Sequence, residues 1–454
     1  MHYHGSWEVK QMKNMRKTMA LLMAGTMAVS IFAGCGSNAN DTNTNTDNNS
    51  AAAGTETAEA DNSAASGDKT VIKVTKWGDA SVEEQLIEEY NKTNDKNIEV
   101  QIDAIPSDGY GDRLTTSFSS GDGYDIFLSG EGDFYKWDSL GMVQPLDDLI
   151  ANDTDWQNPM SDSVMNMGKV EGQQAYLIKD YNPICLWYNK DLFDEMNVDY
   201  PTADWTWDDL HAAAEKLTTK DDNGEYKTFG FQAQSWGYAV ASYLESLGLS
   251  YVSDDYSTAD GYLNSQEMAD ALDTYFGWAE GDDRISPTSA ETDTYGDGTA
   301  MMINGKLAMF ISGGWVKASL EDAGVNYGTA LVPGNHKSYY CASGYAMSTS
   351  CKNPEAAWEV LKLLTGEEAS ELRAEQEACF PTSQDQLDKL VASYTDDQKA
   401  MIESLDYSVS PVGMRGAVGS AVNVVLDEAL ERIAYHDGET IDILNDAVNS
   451  LEIK

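Results

Sequence analysis

Three observations predict an α/β fold in two lobes of similar size. From about residue 69 onward, short apolar runs of strand length alternate with amphipathic helical stripes. That alternation passes once through the first part of the chain and then recurs, which suits two lobes better than one oversized sheet. With 454 residues, 42% of them apolar, the chain is long enough to fill two cores.

In chain order the first element is a leader. Lys13, Arg16 and Lys17 precede an uncharged, mostly apolar run over residues 18–32, followed by Ala33-Gly34-Cys35-Gly36. A basic start, a short apolar stretch and small residues at a cleavage point are the layout of a secretory signal over residues 1–34. The run is shorter than the roughly 20 residues a membrane-spanning helix needs. A cysteine directly after Ala-Gly resembles the lipobox of bacterial lipoproteins, although Phe32 stands where Leu is commoner. The resemblance implies a diacylated Cys35 on the outer face of the cytoplasmic membrane, as in a Gram-positive-type bacterium. Two acyl chains hold firmly where one is marginal. Translation starts at Met1, Met12 or Met15. Residues 35–68 have no aromatic and no large aliphatic side chain, so they read as a disordered tether.

Folded sequence begins near Lys69. Val71, Ile72 and Val74 lead to Trp77 as a strand, and Ser81 with Glu84 reads as a capping box before Val82, Leu86, Ile87 and Tyr90. Ile98, Val100 and Ile102 alternate as a second strand. A helix over residues 113–119, a strand over 124–128 and a helix over 133–140 follow. Farther on, Thr206 caps a helix carrying Trp207, Leu210, Ala214 and Leu217, and residues 229–232 read as a strand. Met268, Leu272, Tyr275 and Ala279 form a helical stripe, and strands lie within 301–311 and over 326–332. Asn353-Pro354 is a helix start, and residues 418–433 and 440–451 are helical by period.

The formal net charge is −47, a surface that repels phosphates and excludes nucleic acid as a partner. Cys185, Cys341, Cys351 and Cys379 fit no zinc spacing; Cys341 and Cys351 either pair or stay free. Asp221-Asp222-Asn223-Gly224-Glu225 lacks the ligand spacing of a calcium loop and reads as a polar turn. No nucleophile elbow, phosphate loop or His-Glu-x-x-His is present, so no cofactor or metal is expected.

Several segments together resemble the extracellular solute-binding proteins of family 1, the carbohydrate receptors of ABC importers related to maltodextrin-binding protein. They are Trp77-Gly78-Asp79, Ser120-Gly121-Asp122-Gly123-Tyr124-Asp125-Ile126, Leu186-Trp187-Tyr188-Asn189-Lys190-Asp191-Leu192-Phe193 and Thr206-Trp207-Asp208-Asp209-Leu210. Ile303-Asn304-Gly305-Lys306-Leu307-Ala308-Met309, Gly313-Gly314-Trp315 and Lys352-Asn353-Pro354-Glu355-Ala356-Ala357-Trp358 complete the set. Tyr124 replaces the family's usual Pro. The resemblance implies the type II periplasmic-binding-protein fold, a Venus flytrap of two interleaved lobes on a hinge. Carried over, lobe one is 69–179 plus 342–390 and lobe two is 180–340 plus 391–454. The function implied is capture of a mono- or oligosaccharide between the lobes and delivery to ABC permease subunits, by a monomeric protein that is not an enzyme.

Sugar recognition needs flat apolar faces for pyranose C–H surfaces and planar polar groups for hydroxyls. The chain's 11 Trp and 24 Tyr make such a site available, though many must be core. Trp77 closes the first strand, where open α/β sheets bind ligands, and Asp79 beside it is either a hydroxyl acceptor or a helix N-terminal charge. Glu131 sits between glycines just past a strand. Tyr181 and Asn182 fall at the inferred crossing, and Trp236 has small, polar neighbours unlike a core strand. Trp315 follows two glycines where the family commonly stacks a sugar. Arg415, in a Gly-rich turn, either grips hydroxyls or a carboxylate, or pairs with a neighbouring acid. Asp125, Trp207 and Trp358 read as structural. Two alternatives stay open: the same fold with a polyamine, peptide or anionic sugar, and a surface glycoside hydrolase, which needs a facing carboxylate pair.

Overall fold

The computed structural model describes residues 69–121, 123–376 and 379–453; the leader, Cys35 and the tether lie outside the described residues. The apolar run at Ile72 and Val74, both fully buried, forms β1 (Thr70–Trp77). β2 (Ile98–Ile105) and β3 (Ile126–Gly130) lie parallel to it on either side. A small hairpin of β4 (Lys169–Val170) and β5 (Gln173–Gln174) precedes the long strand β6 (Tyr176–Asn189). A second hairpin, β7 (Thr219–Lys220) with β8 (Tyr226–Thr228), is followed by β9 (Met309–Gly313), β10 (Tyr327–Ala330), β11 (Ser338–Met347) and the short β12 (Ser408–Val409). Eight of these join one sheet in the order β10-β6-β11-β3-β1-β2, with β9 added to β6 and β12 to β11.

β6 and β11 are the strands that both halves share. Residues 176–183 of β6 lie antiparallel to β11, whereas residues 184–189 pair with β9 and β10. The register slips where Ser343 opposes Asp180 but Gly344 opposes Ile178, so Lys179 is an extra residue. Such a bulge bends the strand and raises its twist, which turns the sheet from one half to the other.

Among the described residues, apolar side chains collect into two large cores and a small third cluster of Val82, Leu86 and Ala369. The first holds Ile72, Val100, Leu114, Phe127, Phe134 and Tyr176, and continues beyond the crossing to Phe310 and Leu320. The second holds Ile184, Phe193, Leu210, Val240, Tyr275 and Leu430. Trp207 and Trp358, expected as core, are buried, and Thr206 caps its helix (Trp207–Leu217) in a capping box with Asp209. Asp125 holds the chain before β3, accepting from the Lys73 N–H at 2.9 Å.

Some local expectations are corrected, whereas the polar turn at Asp221 and the free-thiol reading of the cysteines stand. Ser81 caps nothing: it is the first residue of the helix Ser81–Thr93, and its hydroxyl donates to the Asp79 carboxylate at 2.7 Å. Residues 229–232 are extended but bond separately to Lys306, Ile285 and Met309, so they form a bridge and not a strand. The strand expected within 301–311 is β9, which begins only at Met309, while Met301 belongs to the helix Gly298–Ile303. Asn353 makes no side-chain cap, although Pro354 does open its helix (Pro354–Thr365). Cys185, Cys341, Cys351 and Cys379 are all free thiols. The Asp221 turn closes on itself, its carboxylate accepting from the Asn223 and Glu225 N–H groups.

Candidate functional site

β9 ends in Gly313-Gly314-Trp315, and the two glycines have separate reasons. A Cβ on Gly313 would lie 2.1 Å from the Trp315 ring, so the missing side chain is what lets the indole fold back over the strand end. A Cβ on Gly314 would meet the Phe380 ring at 2.5 Å and Asn182 Oδ1 at 2.9 Å. Seated this way, Trp315 remains 38% exposed, unusual for a tryptophan fixed by its own backbone. Trp236 meets it edge to face, with centroids 5.7 Å apart at 78°. Trp236 in turn stacks on Tyr238, at 5.4 Å and 16°. The three rings make an aromatic corner at the starts of the helices Gly237–Ser246 and Val316–Asp322.

Across from this corner, Glu131 follows β3 directly in the turn Glu131–Asp133. The Tyr238 hydroxyl donates to its Oε1, and the Ala342 N–H donates to its Oε2 at 2.8 Å. Burial pushes this carboxyl up to about 7, against the pull of those hydrogen bonds. Trp77, half-buried at the end of β1, lies edge-on to Tyr110 at 5.4 Å. Its six-membered ring is 4.0 Å from where a Gly130 side chain would begin. One continuous run therefore links Trp77, Gly130, Glu131, Tyr238, Trp236, Trp315, Gly314 and Asn182.

The other candidates fall around this run. Asp79 is exposed near Trp77, and the Ser81 hydroxyl holds its carboxyl below the usual range. Tyr181 is buried against Phe380, with centroids 5.9 Å apart, and so is part of the packing beneath the crossing. Asn182 is buried at 8% exposure, and its Oδ1 has no hydrogen-bond partner. Arg415 sits one ring behind the corner. Its guanidinium pairs with Glu245 at 2.7 Å, donates to Ser250 Oγ and Ser410 O, and lies over Tyr339, which is itself edge-on to Tyr238. That is the acid-paired arrangement, which leaves the fork little to offer a ligand.

Two residues in the site went unnoticed in the sequence. Tyr238 lies two positions after Trp236, a spacing that a closer look at the Trp-Gly-Tyr helix start would have flagged. Asp180, next to Tyr181, sits at the bulge. Burial raises its carboxyl, but Lys179 at 2.6 Å and the Ser343 hydroxyl at 2.7 Å outweigh that and hold it low. Among the described residues no cluster of His, Cys, Asp or Glu is arranged to hold a metal, and no helix is long and apolar enough to cross a membrane. Two concave regions, of about 410 and 310 Å³, lie away from the corner, beside the turn Asp396–Gln398.

Comparison with known proteins bears on the family and the fold. The family model for bacterial extracellular solute-binding proteins matches residues 75–371. A maltooligosaccharide ABC transporter solute-binding lipoprotein of Streptococcus pneumoniae is 24% identical over 380 residues, covering 78% of this chain and 77% of that protein. A maltodextrin-binding protein of Bacillus subtilis is 25% identical over 291 residues, 60% of this chain and 64% of its own. A binding protein of Brucella abortus is 24% identical over 59% of this chain, and the match spans 64% of its length, just under two thirds. Among solved structures, an ABC substrate-binding protein of Listeria monocytogenes in complex with cycloalternan superposes with a TM-score of 0.71. It is 26% identical and covers 84% of this chain and 98% of its own. A maltose/maltodextrin-binding domain of Bdellovibrio bacteriovorus, bound to maltotriose, shares the fold at 18% identity, with a TM-score of 0.67 and coverage of 84% and 98%.

Proposed function

The chain belongs to the bacterial extracellular solute-binding proteins, and from that premise we propose that it is the carbohydrate receptor of an ABC importer. It is held outside the cytoplasmic membrane by a lipid on Cys35 and works as a monomer without catalysis. An oligosaccharide enters between the lobes, stacks on Trp315 and Trp236, and meets Glu131, Asp79 and Asn182 through its hydroxyls. The lobes are 69–179 plus 342–390 and 180–340 plus 391–454, and they move about the bulged crossing of β6 and β11. Ligand that touches both lobes favours the closed state, which the permease recognises and unloads.

The observation that carries this reading is the aromatic corner, with Trp315 pinned by Gly313 and yet 38% exposed. A ring so placed stabilises little of the core and presents an apolar face, as pyranose C–H surfaces require. The engagement of Arg415 by Glu245 weighs against an anionic sugar.

The test is tryptophan fluorescence of the full-length protein in detergent, titrated with maltotriose and cycloalternan, with polyamines and amino acids as controls. Saturable change with a sugar that is recovered intact supports the reading. A response to polyamine alone, or hydrolysis of the sugar, overturns it.

A further inference from the structure

Gly314 has no side chain, and the space beside it is filled from far along the chain. A Cβ there would lie 2.5 Å from Phe380 Cε2 and 3.2 Å from its Cδ2, with Asn182 Oδ1 at 2.9 Å. The edge of the Phe380 ring therefore rests directly on the backbone that carries Trp315. The Gly314 carbonyl accepts from the Lys317 N–H at 3.1 Å, so the same backbone opens the helix Val316–Asp322.

Phe380 is itself firmly held. It is buried, its N–H donates to the Tyr181 carbonyl at 3.3 Å, and its ring tilts by 39° against the Tyr181 ring. Just beyond it, Ser370 Oγ accepts from the Thr382 N–H at 2.9 Å and the Ser383 N–H at 3.3 Å. Ser370 belongs to the helix Glu367–Gln376, whose Arg373 is tied to Glu83 at 2.8 Å. The Gln384 N–H reaches the Pro159 carbonyl at 3.1 Å. Phe380 thus arrives at Gly314 from a segment fastened at Tyr181, Ser370 and Pro159, by bonds that do not involve β9.

We propose that Phe380 is a positioning residue for ligand capture: its ring edge, packed on Gly314, sets how Trp315 faces the ligand. The inference rests on the reading of Trp315 as the sugar platform given above. Stacking needs the indole face at a set height and tilt, because dispersion contact falls off steeply with separation. Gly313 gives the indole room to fold back, but room alone does not fix where it stops. Trp236 touches Trp315 only edge to face, which leaves its exposed face free. With Phe380 and Asn182 both against Gly314, the peptide leading into Trp315 has one place to sit. Close packing passes that constraint on, since even a methylene's change in volume is felt. A ring that merely filled core would register in stability and not in the seating of Trp315.

The test uses the full-length protein in detergent. Phe380→Leu removes the outer ring atoms that meet Gly314 and keeps the atoms nearer the backbone. Acrylamide quenching of Trp315 is read without ligand, as the difference between each protein and its Trp315→Phe counterpart. It should rise in Phe380→Leu, because an indole no longer held over the strand end is reached more often. Maltotriose affinity should fall by about tenfold, as expected of a site loosened by a fraction of an ångström to an ångström. In a Trp315→Ala background the same change should cost less than about twofold, because nothing is left to position. Losses that multiply independently overturn the proposal, as does Trp315 quenching that does not rise. A size exchange guards against a general effect of Phe380→Leu on the fold. Gly314→Ala alone should lower affinity by about tenfold, and adding Phe380→Leu should regain most of that loss. No recovery in the pair overturns the proposal. If the wild type binds no sugar, the carbohydrate reading fails, while the ligand-free quenching still decides whether Phe380 seats Trp315.

Discussion

The two ends of the shared β6–β11 pair are held by opposite chemistries. On the lobe-one side the fastening is buried charge: Glu83, fully buried, takes Lys76 at 2.7 Å, Arg373 at 2.8 Å and the Tyr345 hydroxyl at 3.0 Å. Asp180, Lys179 and Ser343 continue this polar set to the bulge. On the other side the fastening is mainly aromatic, beside the buried Arg415–Glu245 pair. Trp207 packs with Tyr243, Phe231 and Trp278, and Trp236, Tyr238 and Trp315 extend the rings toward solvent. Buried charges tolerate little movement, because losing one partner strands another in a low dielectric. Rings lose contacts gradually, so a wall of them can stay open at its edge. The charged set is thus a fully buried network, whereas the aromatic set keeps Trp315 part-exposed at its edge.

The largest expected effect breaks the charged side. Arg373→Leu leaves Glu83 short of a partner and should cost roughly 3–5 kcal/mol in urea unfolding, with Glu83→Gln comparably damaging. A loss below about 1 kcal/mol would show that the network is not what holds lobe one. Next, Trp315→Ala should weaken maltotriose binding by roughly tenfold to a hundredfold while leaving the urea midpoint nearly unchanged, because the ring is part-exposed. Gly313→Ala sharpens the contrast: it keeps the indole but expels it from its seat, and should lower affinity by about tenfold with the ring still present.

The pH dependence of stability should carry opposite signs on the two sides. Glu83 is held down to about 2, where burial is outweighed by Arg373 and Lys76, so its contribution is complete above pH 4.5 and is lost as pH falls through 2. Glu131 is raised to about 7, so its burial costs nothing below 4.5 and more as pH climbs to 7. Unfolding followed from pH 2 to 8 should show the acid limb disappear in Glu83→Gln and the neutral limb flatten in Glu131→Gln. The smallest effect tests a local device far from both: Thr206→Ala removes the capping box with Asp209 and should cost about 1 kcal/mol.

Much of the α/β pattern could be read directly from the residues, and the reasons are local. Alternation at Ile98 and Val100, Thr206 before Trp207, and Pro354 at a helix start act within a few residues of themselves. The errors came where a local rule met a competing partner. Ser81 has the spacing of a cap, but a carboxylate two residues back takes its hydroxyl. Residues 229–232 have the apolar run of a strand, but their bonds go to three separate segments and not to one neighbour.

The sequence by itself determined which residue types were available to the site, because Gly-Gly-Trp, a glutamate between glycines and a tryptophan at a strand end are chain-local facts. Which of them face one another was decided only by the tertiary structure. Glu131 meets Tyr238 from 107 positions away, and Arg415 pairs with Glu245. Whether a charged or aromatic side chain is free depends on who else is buried beside it, and burial is settled by the packing of distant segments, not by any neighbour in sequence.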